Sequence, residues 1–277
     1  MDSFIINFAP TGMIPTKQMS PYVPVTAEEI IEEVLAANEI GITIVHLHAR
    51  DADQKPTYKA SEYIKIIEKI RLYAPELVIC TSLSGRNFNT FEFRSEVLEL
   101  FPDMGSLTLN SLNFPKSASV NDPEMIERLA EKMSASGVKP ELEIFDLGMI
   151  NYAGFLIKKG ILKPPYYFNI ISGNISGIQT EPDQIGLAIR LLPEQSYWAL
   201  GGIGDQQLKA NLMGLLNGGG VRTGTEDNLY YDRSKTIKAK NADILKRIHR
   251  IANELEVKLM SPKEFGDLGF YNPNIKR

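Results

Sequence analysis

The sequence predicts an α/β fold, a single (β/α)8 barrel domain over residues 1–277. Two observations lead there. Short apolar, β-branched runs alternate with amphipathic helical runs along the whole chain, and the strand-like runs number eight. Alternation at roughly thirty-residue spacing implies parallel βαβ units, and eight such units close a barrel, whose usual size of about 250 residues fits this chain. An open doubly wound sheet would carry G-x-G-x-x-G after its first strand. The turn here reads APTGMIPTKQMSP.

The predicted strands are Phe4–Phe8, Thr43–His48, Val78–Ser82, Ser106–Leu109, Leu142–Phe145, Tyr167–Ile171, Tyr197–Leu200 and Gly220–Thr223, each followed by turn residues. The first is followed by a long loop, Ala9–Val25, whose four prolines (Pro10, Pro15, Pro21 and Pro24) argue against regular structure. In a barrel, such a loop covers the C-terminal, active-site face. A helix over Thr26–Leu35 opens with Thr26 and has Glu29 three positions on, the capping-box pattern. Asp122 followed by Pro123 reads as an N-cap with proline at the first helical position. The segment Ile237–Leu255 places Ile244, Ile248, Ile251 and Leu255 on one helical stripe. No low-complexity linker divides the chain.

Composition narrows the function classes. The chain is 43% hydrophobic and 23% charged, with a formal net charge of −4 and no dense Lys/Arg block, so nucleic acid is not an expected partner. Cys80 is the only cysteine, which rules out an intrachain disulfide and suits a reducing, cytoplasmic setting. The N-terminal MDSFIINFAP lacks the basic and long apolar regions of a signal peptide. No apolar stretch approaches the ~20 residues that a membrane span needs.

Two of the three histidines fall in ITIVHLHARD, separated by one leucine. Residues two apart on a strand share a face, so His46 and His48 point together, with Ile42 and Ile44, into the barrel at its C-terminal end. Two inward imidazoles are hard to satisfy without partners, and a metal ion is the partner that suits both. His249, between Arg247 and Arg250 in KRIHRIAN, reads as a solvated helix residue, so a third ligand falls to a carboxylate. Glu226 and Asp227 end the eighth strand, and strands two and eight both flank strand one in a closed barrel. A His2Glu set with an open position is the pattern of a catalytic zinc site, and Mn2+ or Fe2+ uses similar ligands.

Other strand ends add polar groups: Cys80, Ser82 and Ser84 alternate toward Gly85 and Arg86, Ser106, Thr108 and Asn110 share a face, and Glu141, Glu143 and Phe145 share another. Arg222 lies on the side of Glu226. Together they suit a polar acid substrate. From the residues alone the reading stops at metal-assisted carbonyl chemistry. A metal-dependent aldolase or decarboxylase acting on a keto acid without coenzyme A stays open, as does a non-catalytic metal-binding barrel. An amidohydrolase-type site would need further histidines.

The motifs APTGMIPTKQMSPYVPVTAEEI, VHLHARD, PDMGSLTLNSLNF, PELEIFDLGMI, WALGGIG and GGGVRTGTEDNLYYDR occur in this order, and the chain resembles the β-keto acid cleavage enzymes over essentially its whole length. The strand-three turn SLSGR and the strand-six segment FNIISGNISGIQT differ from the usual family pattern. The resemblance implies a zinc-dependent (β/α)8 barrel that converts a β-keto acid and acetyl-CoA into acetoacetate and an acyl-CoA, by Claisen and retro-Claisen steps. It implies His46, His48 and Glu226 as zinc ligands. Ser82, Gly85 and Ser106, with Thr108 beside them, would hold the substrate carboxylate. Glu143, Arg222 and Asp227 would complete the pocket, Arg222 and Asp227 being coupled in proton transfer. Relatives are often tetramers, so a homo-oligomer is expected. With both well-placed histidines spent on metal, Asp227 is the remaining base. Ile14, in the loop after strand one, would meet the acyl tail and select a short, neutral, aliphatic β-keto acid. GGIG, Gly201–Gly204, precedes a helix and suits either phosphates or a tight barrel turn.

Overall fold

The computed structural model describes residues 3–277; Met1 and Asp2, part of the N-terminal stretch read above, lie outside the described residues. Eight parallel strands close into a barrel: β1 (Ile6–Phe8), β2 (Ile44–Leu47), β3 (Val78–Thr81), β4 (Met104–Thr108), β5 (Lys139–Ile144), β6 (Tyr166–Ser172), β7 (Ser196–Gly202) and β8 (Gly220–Thr223). Neighbours in sequence are neighbours in the sheet, and β8 pairs with β1 to close the ring, with Val221 opposite Ile6. The helices that return the chain are α1 (Ala27–Ile40), α2 (Ala60–Tyr73), α3 (Phe91–Ser95), α4 (Pro123–Ala135), α5 (Leu147–Lys158), α6 (Pro182–Arg190), α7 (Gln207–Leu216) and α8 (Asn241–Glu254). All eight predicted strands are present. The caps are those the sequence implies: Thr26 and Glu29 close a reciprocal box on α1, and Asp122 accepts the Met125 N–H of α4.

The strand period sorts the side chains into two compartments. Val45, Leu47, Ile79, Leu107, Leu142 and Ile170 face outward into the shell packed by the helices. Ile5, Ile44, Val78, Met104 and Tyr167 face inward and fill the N-terminal half of the barrel. That inner compartment is sealed from below by the C-terminal segment. A short helix α9 (Pro262–Phe265), capped by Ser261, leads into a turn that stacks Phe265 on Phe270, 4.1 Å between centroids and 3° from parallel, with Tyr167 and Tyr197 set edge-on against the pair.

Four sequence expectations are corrected. Ser3–Phe4 leaves the barrel to pair with Lys258–Leu259, which shortens the first strand to Ile6–Phe8. The second strand starts at Ile44, so Ile42 packs into the outer shell instead of pointing inward. The last long helix starts at Asn241, because the Asp232 carboxylate accepts the Thr236 and Ile237 N–H groups and holds 232–237 in a turn. His249 is half-buried, not solvated: its Nε2 lies 2.8 Å from the Gly41 carbonyl and its ring meets Phe4 edge-on, which ties α8 to the end of α1.

The loop after β1 lies over the C-terminal face and is held there by Arg50. Its Nη2 donates to the carbonyls of Gly12 at 2.6 Å and Pro15 at 2.9 Å, and its Nη1 donates to Gln54 at 3.0 Å.

Truncating the plug is expected to be costly. Phe265→Ala should lower stability in equilibrium urea unfolding by about 3–5 kcal/mol, the range for a fully buried aromatic whose cavity does not collapse. A loss below about 1 kcal/mol would show that the plug is not integral to the barrel core.

Candidate active site at the C-terminal end of the barrel

The site is built from below by one buried carboxylate. Glu141 on β5 lies fully enclosed at mid-barrel and collects donors from four other strands. Asn7 Nδ2 of β1 donates to Oε1 at 2.5 Å, and Asn169 Nδ2 of β6 to the same oxygen at 3.0 Å. His46 Nδ1 of β2 meets Oε2 at 2.6 Å, and the Cys80 thiol of β3 donates to Oε2 at 3.3 Å. Burial opposes charge on both His46 and Glu141, but each stabilises the other: His46 is held up to about 9 and Glu141 down to about 2. His46 Nδ1 donates to the Glu141 carboxylate, which turns the Nε2 of His46 toward the barrel mouth. Burial pushes the Cys80 thiol well above its usual value, so it is a neutral donor in this cluster. His46, Cys80 and Glu141 are close enough to be considered as ligands, but their polar atoms are already spent on one another.

Above this cluster two further groups converge on His46. His46 Nε2 lies 3.3 Å from His48 Nε2, and His48 Nε2 lies 3.3 Å from Glu226 Oε1. Candidate ligand atoms of His46, His48 and Glu226 all fall within 4.8 Å of one another. The second carboxylate oxygen, Glu226 Oε2, is buried without a hydrogen-bond partner. Two imidazole nitrogens and one carboxylate with an unpartnered oxygen form a donor set that fits a divalent cation. Burial lowers His48, the neighbouring carboxylates raise His46, and ligation of a cation by both rings would displace the His46 Nε2 proton.

Glu226 sits on a loop, so its placement needs explanation. Its N–H donates to Ala9 at 3.1 Å. Thr225 beside it is gripped twice: its hydroxyl donates to Pro10, and its N–H donates to Asn241 Oδ1 at 2.8 Å. Gly12 closes over the side chain with φ +68°, and a Cβ there would come within 2.5 Å of Glu226 Cγ. Only glycine combines that backbone conformation with that approach.

Arg222 on β8, 2% exposed, is the bridge to the remaining acids. Its Nη2 donates to Glu226 Oε1 at 2.8 Å, and its Nε donates to Asp227 Oδ2 at 2.8 Å. Burial raises Asp227 despite the arginine beside it, so its carboxylate is more basic than usual. Burial, with the nearby Glu141, also raises Glu143, whose Oε2 accepts the Thr108 hydroxyl at 2.6 Å.

A cavity of about 520 Å3 opens above these groups, lined by His48, Ser82, Thr108, Glu143, Arg222, Glu226 and Asp227. Ile14 overhangs it with Met13, Pro15 and Met19 from the long loop, and Leu112 and Phe114 from the segment after β4 add apolar wall. Among the predicted site residues, His46, Gly85 and Ser106 do not line this cavity. His46 lies beneath His48. Ser106 is buried, with its hydroxyl accepting the Leu83 N–H at 3.0 Å, and Gly85 packs against Arg94. The Gly204 N–H of GGIG donates to the Asp227 carbonyl at 2.8 Å, so the segment serves as a tight turn that braces the site. Sequence reasoning placed Glu141 on the correct face without a role, and missed Asn7 and Asn169 as its donors. Their position on inward faces of strands six and one was the available signal.

The chain matches the family described as beta-keto acid cleavage enzyme over residues 3–268. It is 33% identical over 265 residues to a 3-keto-5-aminohexanoate cleavage enzyme of Acetoanaerobium sticklandii, an alignment covering 95% of this chain and 97% of that one. It is 34% identical over 253 residues to a 3-oxoadipate:acetyl-CoA acetyltransferase of Cupriavidus necator, covering 90% and 88%. Among solved structures, ObcA in binary complex with oxaloacetate superposes with a TM-score of 0.77 at 18% identity, covering 91% of this chain and 68% of that one, a likeness of fold. With a closed barrel, an acid-and-histidine mouth and a family match along nearly its whole length, the chain belongs to the β-keto acid cleavage enzymes.

Proposed function

We propose that this enzyme cleaves a short β-keto acid with a neutral aliphatic tail, taking acetyl-CoA as co-substrate and releasing acetoacetate and the acyl-CoA. The observation that carries the reading is the open set His46, His48 and Glu226 at the floor of a large cavity, with the Arg222–Asp227 pair beside it. The acetyltransferase name of the Cupriavidus necator relative supports the thioester partner. It also disfavours a lyase acting without coenzyme A.

His46, His48 and Glu226 would hold zinc, and a zinc ion there supplies a Lewis acid for the 3-keto oxygen, an effect worth several kcal/mol of barrier. Glu141 fixes the ring of His46 and its tautomer. Asp227, made more basic by burial, takes a proton from C2 of the β-keto acid, and Arg222 keeps that carboxylate in place and offsets its charge. The C2 carbanion attacks the acetyl carbonyl and expels the coenzyme A thiolate. The thiolate then adds to the former keto carbon, the C2–C3 bond breaks, and Asp227 returns its proton to C2 of acetoacetate. The apolar wall of Ile14, Met13 and Leu112 receives the tail.

Metal and fold should separate cleanly. Glu226→Gln is expected to remain folded by circular dichroism and to lose most bound zinc by elemental analysis, together with turnover. Glu141→Gln, which keeps shape but removes the anion behind His46, should weaken zinc about 10- to 100-fold in a chelator competition. Zinc retained at full affinity in both variants would remove this ligand assignment.

Substrate choice is read from a panel of β-keto acids of equal length, monitored by acetoacetate release. Neutral tails should give a kcat/KM at least about tenfold above amine-bearing ones, the cost of setting an uncompensated ammonium against an apolar wall. Equal or better turnover of the cationic substrates contradicts the tail assignment. Product formed without acetyl-CoA contradicts the reaction.

A further inference from the structure

The loop that follows Asp227 carries a lysine in a backbone conformation that suits glycine. Lys235 has φ +57°, in the left-handed region, where glycine or asparagine sits without strain. The segment around it is nonetheless firmly built. Tyr231 N–H donates to the Ile237 carbonyl at 2.8 Å, and Ala239 N–H donates to the Leu229 carbonyl at 3.0 Å. The Asp232 carboxylate closes the turn from inside, accepting the Thr236 hydroxyl at 2.7 Å together with the Thr236 and Ile237 N–H groups. Lys238 Nζ lies 3.9 Å from the ring centroid of Tyr230 and packs down the base of the loop. Held in this way, Lys235 lines the wall of the active-site cavity.

Positive charge is concentrated at this edge of the mouth. Residues 232–250 hold seven Lys or Arg and two Asp, in a chain whose net charge is −4, so the positive potential is local. Arg247 ties α8 to the loop, donating to the Tyr231 carbonyl at 2.8 Å with its guanidinium carbon 3.2 Å from that ring. Lys116 lines the same cavity from the short hairpin of Leu112–Asn113 and Ala118–Ser119, which follows β4. Strands β4 and β8 lie on opposite sides of the ring, so the two lysines face each other across the opening. Among the described residues neither Lys116 nor Lys235 enters an ion pair. Two exposed ammonium groups without acid partners, above a floor that carries Glu143, Glu226 and Asp227, attract an anion that stops at the rim.

We propose that Lys235, with Lys116 opposite it, receives the phosphates of coenzyme A. This rests on the reading above that acetyl-CoA is the co-substrate. A cavity of about 520 Å3 takes the keto acid and the acyl end of the thioester, so the phosphates stay outside, where the two lysines stand. The carboxylates of the floor repel phosphate, and the same distribution of charge therefore sets the direction in which the thioester enters. Lys235 selects the carrier of the acetyl group and leaves the choice of keto acid to the inner wall.

The test removes the charge and keeps the turn, because Lys235→Gly and Lys235→Asn both accept the left-handed backbone. With the zinc-loaded full chain, kcat/KM is measured for acetyl-CoA and for S-acetylpantetheine, which has the same thioester and no phosphate. The ratio of the two should fall about fivefold in either variant, the factor expected for one exposed charge contact. Lys235→Arg should keep the ratio close to that of the wild type. Adding Lys116→Gln to Lys235→Gly should lower it about 25-fold, since distant sites act independently. Raising the salt from about 0.05 to about 0.5 M should lower the ratio for the wild type and much less for the double variant. A ratio unchanged in Lys235→Gly overturns the proposal, as does an equal loss with both thioesters, which would show that only the loop was disturbed. Calorimetric titration with coenzyme A and with pantetheine separates the two readings. If the wild type forms no acetoacetate, the reaction fails, yet coenzyme A affinity lost in Lys235→Gly with pantetheine unaffected still supports the phosphate receptor. Equal coenzyme A affinity in both proteins overturns it. Circular dichroism and zinc content of each variant exclude loss of fold as the cause.

Discussion

The Glu141 carboxylate, sealed in mid-barrel, is the constraint on which the rest of the site depends. An ionised carboxylate removed from water costs several kcal/mol unless it is paired and hydrogen-bonded. Glu141 meets that demand by drawing donors from β1, β2, β3 and β6, so strands far apart in sequence are cross-referenced through one side chain. A one-residue slip of β5 would carry Glu141 into the outer apolar shell and bring Leu142 inward. The same interaction that sets the register also orients His46. Fold and site are therefore not independent layers here.

The inner compartment divides along the barrel axis by the same logic. Its lower half is apolar and closed by the Phe265–Phe270 stack, which keeps water from reaching Glu141 from below. Its upper half is polar and open to the cavity. Low local dielectric under the site strengthens each charged contact above it. Arg222 illustrates the consequence: nearly enclosed, it is held above its usual value by Asp227 and Glu226 despite burial, and acts as a permanent charge.

Most of this architecture was legible in the sequence because strand period two is a strong local signal. It located all eight strands, put His46 and His48 on one face, and through ring closure brought Glu226 beside them although 178 positions separate Glu226 from His48. What stayed hidden depended on height or reach. Alternation says which face Glu141 and Glu143 share, but not that one would serve His46 and the other Thr108. Ser106 lies on the expected face, yet a hydroxyl one step from a neighbouring strand satisfies that strand's backbone first. Arg50 reaches across 35 or more positions to loop carbonyls, and the C-terminal plug is a long-range contact of a short segment. No local periodicity encodes either one.

The division of the three converging groups between strand and loop has its own consequence. His46 is locked by the strand beneath it, whereas Glu226 owes its place to contacts of the loops around it: Ala9, Pro10, Gly12 and Arg222. Arg222 takes Glu226 Oε1 and leaves Oε2 bare, so on the reading proposed above one oxygen is tied to the acid–base pair while the other is free for the cation. A change in charge at Asp227 is thereby felt at Glu226 through a single guanidinium. Asp227 and Glu226 behave as one electrostatic unit through Arg222, and substitution of either residue should alter the properties of the other non-additively.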